Sequence, residues 1–471
     1  MQSFWGRNWK LIIFGVLVIL GLGGWLAWKY MAQGIGINLI GGGYQPAAII
    51  IDTAQVTKPL RPMWDGVSQG FEKPPDQDFR LEAVSGLLKS VGAKYVRIDH
   101  VFNGYNVVSR NGGGLAYDWS RLDAMVGDIL AAGATPYIVI SYMPPAISKS
   151  DILDEPNDWG EWGQVVSALV GHYSRDYRGG INNVIYEVWN EPDLFGGWKM
   201  NRGKSYTRLY SVASNAAAGV RGAKPFKIGG PATTGFYTAW VNGFYDRLDS
   251  TVRIDFFSWH RYSANVADFV KDARTAKALM ETRISRSQDL YISEWGVNPE
   301  RGSQYDSRWA GAHFLAVLCA LSETNVDLAL TFEVMDGAPA DKQFHGGWGM
   351  LTNPKYGAVA KKPRFKAWEM ITKMRGSQLA KVGEGSYIYA LAAKDQAGIV
   401  RVMSVNYDVN GSHAETFPLT MVGLTDGTYT IQEQYLSGNV VNTEAVAVGG
   451  SLRRDISLAA SDAVLVTITK K

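Results

Sequence analysis

Two glutamates in this chain have the setting that acid/base and nucleophilic carboxylates need. Glu191 follows the run Tyr186-Glu187-Val188-Trp189-Asn190, and Glu294 lies in Tyr291-Ile292-Ser293-Glu294-Trp295-Gly296. Both runs read as β-strands, and each glutamate falls at its strand's C-terminal end. On a parallel barrel all such ends face one site, so two residues 103 positions apart can meet there. Two carboxylates flanking one bond are what hydrolysis of a glycoside requires: one protonates the leaving oxygen and the other attacks or stabilises the anomeric carbon. Asn190 can hold a sugar hydroxyl beside the reacting centre. The neighbouring aromatic residues supply apolar walls that stack on sugar and raise the pKa of an acid. The six histidines are widely separated, with no H-E-x-x-H pattern, so the reading includes no metal and no cofactor.

The elements that must position these groups alternate. Between Trp64 and Arg375 short apolar runs switch repeatedly with helical periods. Strands are expected at Gly66–Phe71, Tyr95–Asp99, Pro136–Ser141, Val184–Trp189, Lys227–Gly230, Phe256–His260, Leu290–Glu294 and Leu328–Glu333. Leu122, Met125, Val126, Ile129 and Leu130 recur at helical spacing before Gly133. Eight such units predict an α/β fold, a (β/α)8 TIM barrel over residues 63–376. The competing doubly wound sheet lacks support, since neither a P-loop nor a strand–GxGxxG–helix fingerprint is present. After Arg375 the texture becomes short alternating runs separated by turns, such as Asp426–Gly427 and Gly449–Gly450. Residues 377–471 therefore read as a C-terminal antiparallel β-sandwich domain, which the strand-like segment within 48–62 would join.

The chain has 471 residues and a net charge of +3, with no long basic run, which argues against a nucleic-acid partner. A single cysteine, Cys319, rules out an internal disulfide framework and a cysteine-based zinc site. Leu11–Trp28 is an uncharged run of 18 residues. As a helix it spans about 27 Å, close to the hydrocarbon thickness of a bilayer. Residues 1–33 are thus expected to be an N-terminal transmembrane helix, with 34–47 as a tether. Arg7 and Lys10 favour a cytoplasmic N-terminus and an exported remainder, a single-pass protein of the cytoplasmic membrane with a periplasmic or extracytoplasmic catalytic domain. A cleaved signal peptide is the alternative.

Taken together, YEVWNEPDL and YISEWG resemble the paired active-site motifs of clan A retaining glycosidases. GAKYVRIDHVF, YDWSRLDAMVGDILAAGATPYIVISYMP, KIGGPA, DFFSWHRY and GGWGMLT followed by KKPRFKAWEM narrow the resemblance to glycoside hydrolase family 39. That family includes β-xylosidases, α-L-iduronidases and bacterial exopolysaccharide-processing glycosidases. The resemblance implies Glu191 as acid/base, Glu294 as nucleophile and Asn190 beside the anomeric carbon. It places His260 and Tyr262 at the end of the sixth strand, with Tyr262 hydrogen-bonding the nucleophile, and Arg97 beneath the carboxylates. His100, Tyr142, Trp348 and Glu333 are further sugar-subsite candidates.

The expected activity is endo cleavage of a cell-surface polysaccharide or exopolysaccharide by double displacement, in an open groove, beside the exopolysaccharide synthesis or export machinery. Two alternatives stay open: an exo-acting β-xylosidase or uronidase, closed at one end by Asn111–Gly114 or Asp336–Gly347, and a non-catalytic polysaccharide-binding or assembly protein.

Overall fold

The computed structural model describes residues 43–71, 80–200, 203–283, 288–337 and 342–471. The expected membrane helix and most of the tether lie outside these residues. Among the described residues no helix is long and apolar enough to cross a membrane.

The first strand, β1 (Ile49–Pro59), leads into β2 (Gly66–Gln69), helix α1 (Glu82–Ser90), β3 (Tyr95–Ile98), a hairpin of β4 (Val108–Asn111) and β5 (Gly114–Tyr117), α2 (Ser120–Ala131) and β6 (Thr135–Ile140). Then follow α3 (Trp159–Gly171), β7 (Val184–Val188), α4 (Tyr206–Ala218), β8 (Phe226–Thr233), α5 (Thr238–Tyr245), β9 (Phe256–Tyr262), α6 (Val266–Arg283), β10 (Asp289–Gly296), α7 (Arg308–Leu321), β11 (Leu328–Phe332) and α8 (Pro363–Ile371). Strands β2, β3, β6, β7, β8, β9, β10 and β11 pair in parallel in that order, and β11 closes on β2 through Thr331↔Val67. This is the expected barrel, with each strand end within three residues of its sequence reading.

The strands read as unbroken apolar runs because both of their faces are covered. All five residues of β7 are buried. Tyr137, Ile185, Phe256, Tyr291, Leu328 and Leu330 plug the barrel interior. Outside, α2 buries Leu122, Met125, Val126 and Ile129, and Gly133 ends that turn at φ +76°. Gly229 has no room for a side chain, since a Cβ there would lie 2.3 Å from the Phe256 carbonyl oxygen of the neighbouring strand.

The remaining strands are β12 (Ser377–Val382), β13 (Ile388–Lys394), β14 (Val400–Asn406), β15 (Glu415–Val422), β16 (Gly427–Tyr435), β17 (Val440–Ala447), β18 (Leu452–Leu458) and β19 (Ala463–Lys470). They form one continuous nine-stranded sheet ordered β17-β16-β19-β14-β13-β12-β1-β15-β18. It differs from the expected antiparallel sandwich in two ways. The sheet is continuous, curling about one core so that Arg454 of β18 reaches Glu433 of β16 at 2.6 Å. It is also mixed, because β1 pairs with β15 in parallel.

Helix α7 joins the two halves. It is buried nearly all round, and one hydrophobic cluster runs from its Phe314, Leu315 and Leu318 to Met403 and Val405 of β14. Tyr407 Oη donates to the Ala264 carbonyl at 2.6 Å, and Trp309 Nε1 donates to that of Asp408 at 3.1 Å. Cys319 belongs to this core, and burial holds its thiol pKa far above the ordinary value.

Candidate active site

Residues at or just beyond the C-terminal ends of all eight barrel strands line one cleft of about 1010 Å³, with Glu191 and Glu294 in its wall. Glu191 stands on the tight turn after β7. Trp189 (φ +72°) and Glu191 (φ +47°) both adopt the left-handed backbone that side chains avoid. The turn is held by hydrogen bonds from Glu191 N to the Ala232 carbonyl (2.9 Å) and from Trp189 N to that of Ile140 (3.3 Å). Strain fixed in this way by neighbouring strands is a feature of functional sites.

Glu294 is aimed differently. Tyr291 points into the barrel plug, so strict alternation would turn residues 293 and 295 inward rather than 294. An irregularity in the pairing of β10 with β9, between Ile292 and Glu294, breaks that alternation. Glu294 then faces the cleft, while Trp295 stacks outward on Phe314 of α7 at 5.4 Å. Re-aiming a side chain is what such a bulge does beside an active site.

Oxygen atoms of the two carboxylates and a ring nitrogen of His260 all lie within 4.8 Å of one another. So close an approach of one oxygen from each carboxylate agrees with the separation of about 5–5.5 Å in retaining glycosidases better than with the gap of about 6.5–9.5 Å that inversion needs for a water.

Arg97, fully buried on β3, organises the floor. Its Nη1 donates to Glu294 Oε2 (3.1 Å) and Ser68 Oγ (3.2 Å), its Nε to Glu187 Oε2 (2.8 Å) and its Nη2 to Asn190 Oδ1 (2.7 Å). Burial opposes its charge, but the carboxylates of Glu187 and Glu294 outweigh burial and raise its pKa. Tyr262 Oη donates to Glu294 Oε1 at 2.7 Å. Burial raises the Glu294 pKa most; His260 and Arg97 pull against it, Glu191 adds to it, and the net displacement is upward. Arg97 Nη2 faces His260 Nε2 at 3.4 Å, which leaves Nδ1–H to donate to Glu191 Oε1 at 2.9 Å. Burial lowers the His260 pKa, and Glu294 and Glu191 together reverse this, so it lies above the ordinary value.

Glu191, His260 and Glu294 have the atom types and spacing of a metal site. Here Arg97 and Tyr262 already donate to Glu294, so fixed hydrogen-bond donors answer the charge that a metal would otherwise balance.

The other expected residues divide. Asn190 is held by Arg97 and donates from Nδ2 to Tyr142 Oη at 3.1 Å. His100 lines the cleft. Tyr142 touches it but is almost wholly buried, edge-on to His100 (4.7 Å) and Trp189 (5.0 Å), so it holds Asn190 and His100 in place rather than offering a ring face. Trp348 is in the wall, and the guanidinium of Arg301 covers its ring at 4.6 Å. Glu333 does not reach the cleft: it is fully buried, accepts from Gln69 Nε2 at 2.8 Å, and serves the packing behind Phe332. Among the described residues, neither Asn111–Gly114, which turns the β4–β5 hairpin, nor Asp336–Gly347 lines the cleft.

Sequence reasoning missed Glu187 and Tyr137. Tyr137 Oη donates to Glu187 Oε1 at 2.7 Å. Burial pushes the Glu187 pKa up, Arg97 and His260 pull it down further, and it ends below the ordinary value. The signal was present: one charge in the apolar run Val184–Val188, on the inward parity of β7 with Ile185.

The model of glycosyl hydrolases family 39 matches residues 47–431. The chain belongs to glycosyl hydrolase family 39. A β-xylosidase of Caldicellulosiruptor saccharolyticus is 25% identical over 367 residues, 70% of this chain and 72% of that one. An α-L-iduronidase of Canis lupus familiaris is 24% identical over 49% of this chain and 38% of its own length. The fold is that of a monomeric β-xylosidase from Caulobacter crescentus CB15 (TM-score 0.75, 21% identity, covering 90% of this chain and 99% of that one). It is also that of a GH39 enzyme from Xanthomonas axonopodis pv. citri (TM-score 0.73, 19% identity, covering 92% and 100%). This GH39 protein is a retaining glycosidase, and its substrate is a carbohydrate.

Proposed function

We propose that Glu294 is the nucleophile and Glu191 the acid/base of this enzyme, and that it cleaves within a cell-surface polysaccharide. The approach of the two carboxylates to within 4.8 Å supports double displacement, and the donors that Arg97 and Tyr262 aim at Glu294 support its role as the nucleophile. Glu294 attacks the anomeric carbon while Glu191 protonates the leaving oxygen. Water, deprotonated by Glu191, then displaces Glu294 and the sugar leaves with its configuration retained. Tyr262 and Arg97 orient Glu294, His260 orients Glu191, and Asn190 presents an amide beside the bond that breaks.

The size of the cleft supports the polymer reading. Its volume of about 1010 Å³ is at the top of the range of roughly 300–1,000 Å³ that suits drug-sized ligands, and one pyranose fills only part of that. Among the described residues, neither segment expected to wall off an exo site lines the cleft. The apolar run Leu11–Trp28 supports an anchored, exported enzyme acting where a polymer is made or exported.

Product sizing tests this reading. Bacterial exopolysaccharides incubated with the full-length enzyme should release oligosaccharides of mixed length first. Monosaccharide alone from the first minutes would refute endo action, and cleavage of small aryl xylosides in preference to any polymer would favour an exo β-xylosidase.

A further inference from the structure

Behind the part of the cleft wall made by Trp348 and Arg301 lies a cluster of charged side chains that the double displacement does not use. Lys362 immediately precedes α8 and is fully buried. Its Nζ donates to Asp336 Oδ1 (3.0 Å) and to the Gly347 carbonyl (2.8 Å), and it lies 2.6 Å from Asp306 Oδ1. The three protons of the ammonium thus have three acceptors. Arg364, also buried, donates from Nη1 to the Phe332 carbonyl (3.0 Å) and from Nη2 to that of Trp348. These four side chains stand behind the cleft rather than in its lining.

The place is an expensive one for a lysine. A helix N-terminus carries partial positive charge and disfavours a cation. A buried ion pair, moreover, is often no more stabilising than apolar side chains of the same volume. What the cluster does fix is geometry. Asp306 belongs to the loop after β10 and Asp336 to the loop after β11, so Lys362 ties both loops to the start of α8. Other bonds close the same seam: Gly346 N donates to Asp306 Oδ2 (2.6 Å), Gly302 N to the Gly346 carbonyl (2.9 Å) and Gly349 N to Asp336 Oδ1 (2.7 Å). The seam has no room for side chains. A Cβ on Gly346, whose φ is +79°, would lie 2.6 Å from the Gly302 carbonyl carbon, and one on Gly347 would lie 2.4 Å from Asp336 Oδ1. Each loop carries one half of the wall. Arg301 directly precedes Gly302, and Trp348 stands between Gly347 and Gly349. The 4.6 Å approach of the guanidinium to the indole therefore depends on the register of the two loops.

We propose that Lys362 is a positioning residue for the substrate: by locking the loops after β10 and β11 in register, it sets the Trp348–Arg301 wall against which the sugar is held. It touches neither the sugar nor the reacting carboxylates. Those are oriented by Arg97, Tyr262 and His260, which stand on β3 and β9 and not on this seam. The proposal goes beyond the roles given to Glu191 and Glu294 and rests on them in placing the sugar in this cleft.

The test measures kcat and KM of the full chain on a 4-nitrophenyl glycoside that it turns over. Lys362→Met keeps the length of the side chain and removes its charge. It should raise KM by about tenfold with kcat within about threefold of native, the pattern of lost binding shared by ground and transition states. Asp306→Asn leaves Lys362 paired with Asp336 and weakens only the tie to the loop after β10. It should raise KM by about threefold, and it keeps the test open where Lys362→Met does not fold. Trp348→Ala should raise KM at least as much as Lys362→Met. The double variant Lys362→Met/Trp348→Ala should lie within about twofold of Trp348→Ala alone, because the lysine acts through that ring. KM does not depend on how much of the sample is folded, so loss of protein cannot imitate the effect. Losses that multiply in the double variant overturn the proposal, as does an unchanged KM in Trp348→Ala or in both Lys362→Met and Asp306→Asn. A native chain that turns over no glycoside would instead overturn the roles of Glu191 and Glu294.

Discussion

Replacing Tyr262 by Phe removes a single oxygen atom from the site, and with it the hydroxyl donor. The ring remains, packed where a Cβ on Gly296 would lie 2.9 Å from its Cε1, so no cavity opens. The hydrogen bond to Glu294 Oε1, 2.7 Å long, is lost. Burial drives the tyrosine's own pKa well above the ordinary value, so the hydroxyl is a donor at every working pH. A hydrogen bond to a charged group is worth about 1.5–3 kcal/mol, and 1.36 kcal/mol corresponds to one pKa unit, so the Glu294 pKa should rise by about 1–2 units. The sign is fixed by the chemistry: the nucleophile must be ionised, so activity is lost as pH falls through its pKa. The acid limb of the kcat/KM profile, measured with an activated aryl glycoside, should therefore move to higher pH by about 1–2 units. The plateau should fall by no more than about tenfold, because a nucleophile with one donor fewer is more basic. An unmoved acid limb with a plateau lowered a hundredfold would refute this reasoning and make Tyr262 a substrate contact.

Other outcomes follow from the same geometry. Glu191→Gln should slow glycosides with poor leaving groups far more than those with good ones, and equal losses across a leaving-group series would contradict the acid role. Arg97→Met leaves Glu187 and Glu294 buried without their cation and should cost about 3–5 kcal/mol in urea unfolding; adding Glu187→Gln should restore part of that. Glu294 has its pKa raised in the folded state, so the stability it contributes is present below the ordinary carboxylate range and is lost as pH rises through the raised value. Glu294→Gln should accordingly have a higher Tm than the native chain at neutral pH, with the difference shrinking toward acid, and a difference that grows toward acid would refute this.

The barrel was legible because its strands are buried on both faces and announce themselves as apolar runs between helical periods. The C-terminal sheet was less so. Strand β15 contains Pro418, which reads as a break. Parallel pairing with β1 begins only at Leu419, so on that side no ladder bond is lost to the missing N–H, and on the other side Pro418 stands opposite Asp455 of β18. Strand β17 turns the small residues Thr443, Ala445 and Ala447 inward and exposes Val440, Val441 and Val446, so hydrophobicity does not mark its alternation. Strand β18 carries Arg453, Arg454 and Asp455 in a run of seven residues, and only the buried Leu452, Ile456 and Leu458 mark it. In the site, the glutamates were legible from their motifs. The burial of Glu333 beside Gln69 was not legible, because a charged residue at a strand end gives no sign of the packing around it. The bulge that turns Glu294 inward leaves no mark in the residue pattern, since it depends on how β10 pairs with β9.

The hub at Arg97 shows why these carboxylates can share one pocket. Glu187, Glu191 and Glu294 bring three acids into a space that burial would otherwise force toward neutrality. Arg97 is bonded to Glu187 and Glu294, and His260 bridges Arg97 to Glu191. Glu187 lies below the cleft, hydrogen-bonded by Tyr137. Its ionised form holds the guanidinium level with the reacting pair, and Asn190 fixes the other edge. The barrel makes this arrangement possible, because β3, β7, β9 and β10 deliver side chains to one layer from positions as far apart as Arg97 and Glu294. Substitution of Glu187 would thus act on the nucleophile through the guanidinium, at a distance from the substrate and without a contact to it.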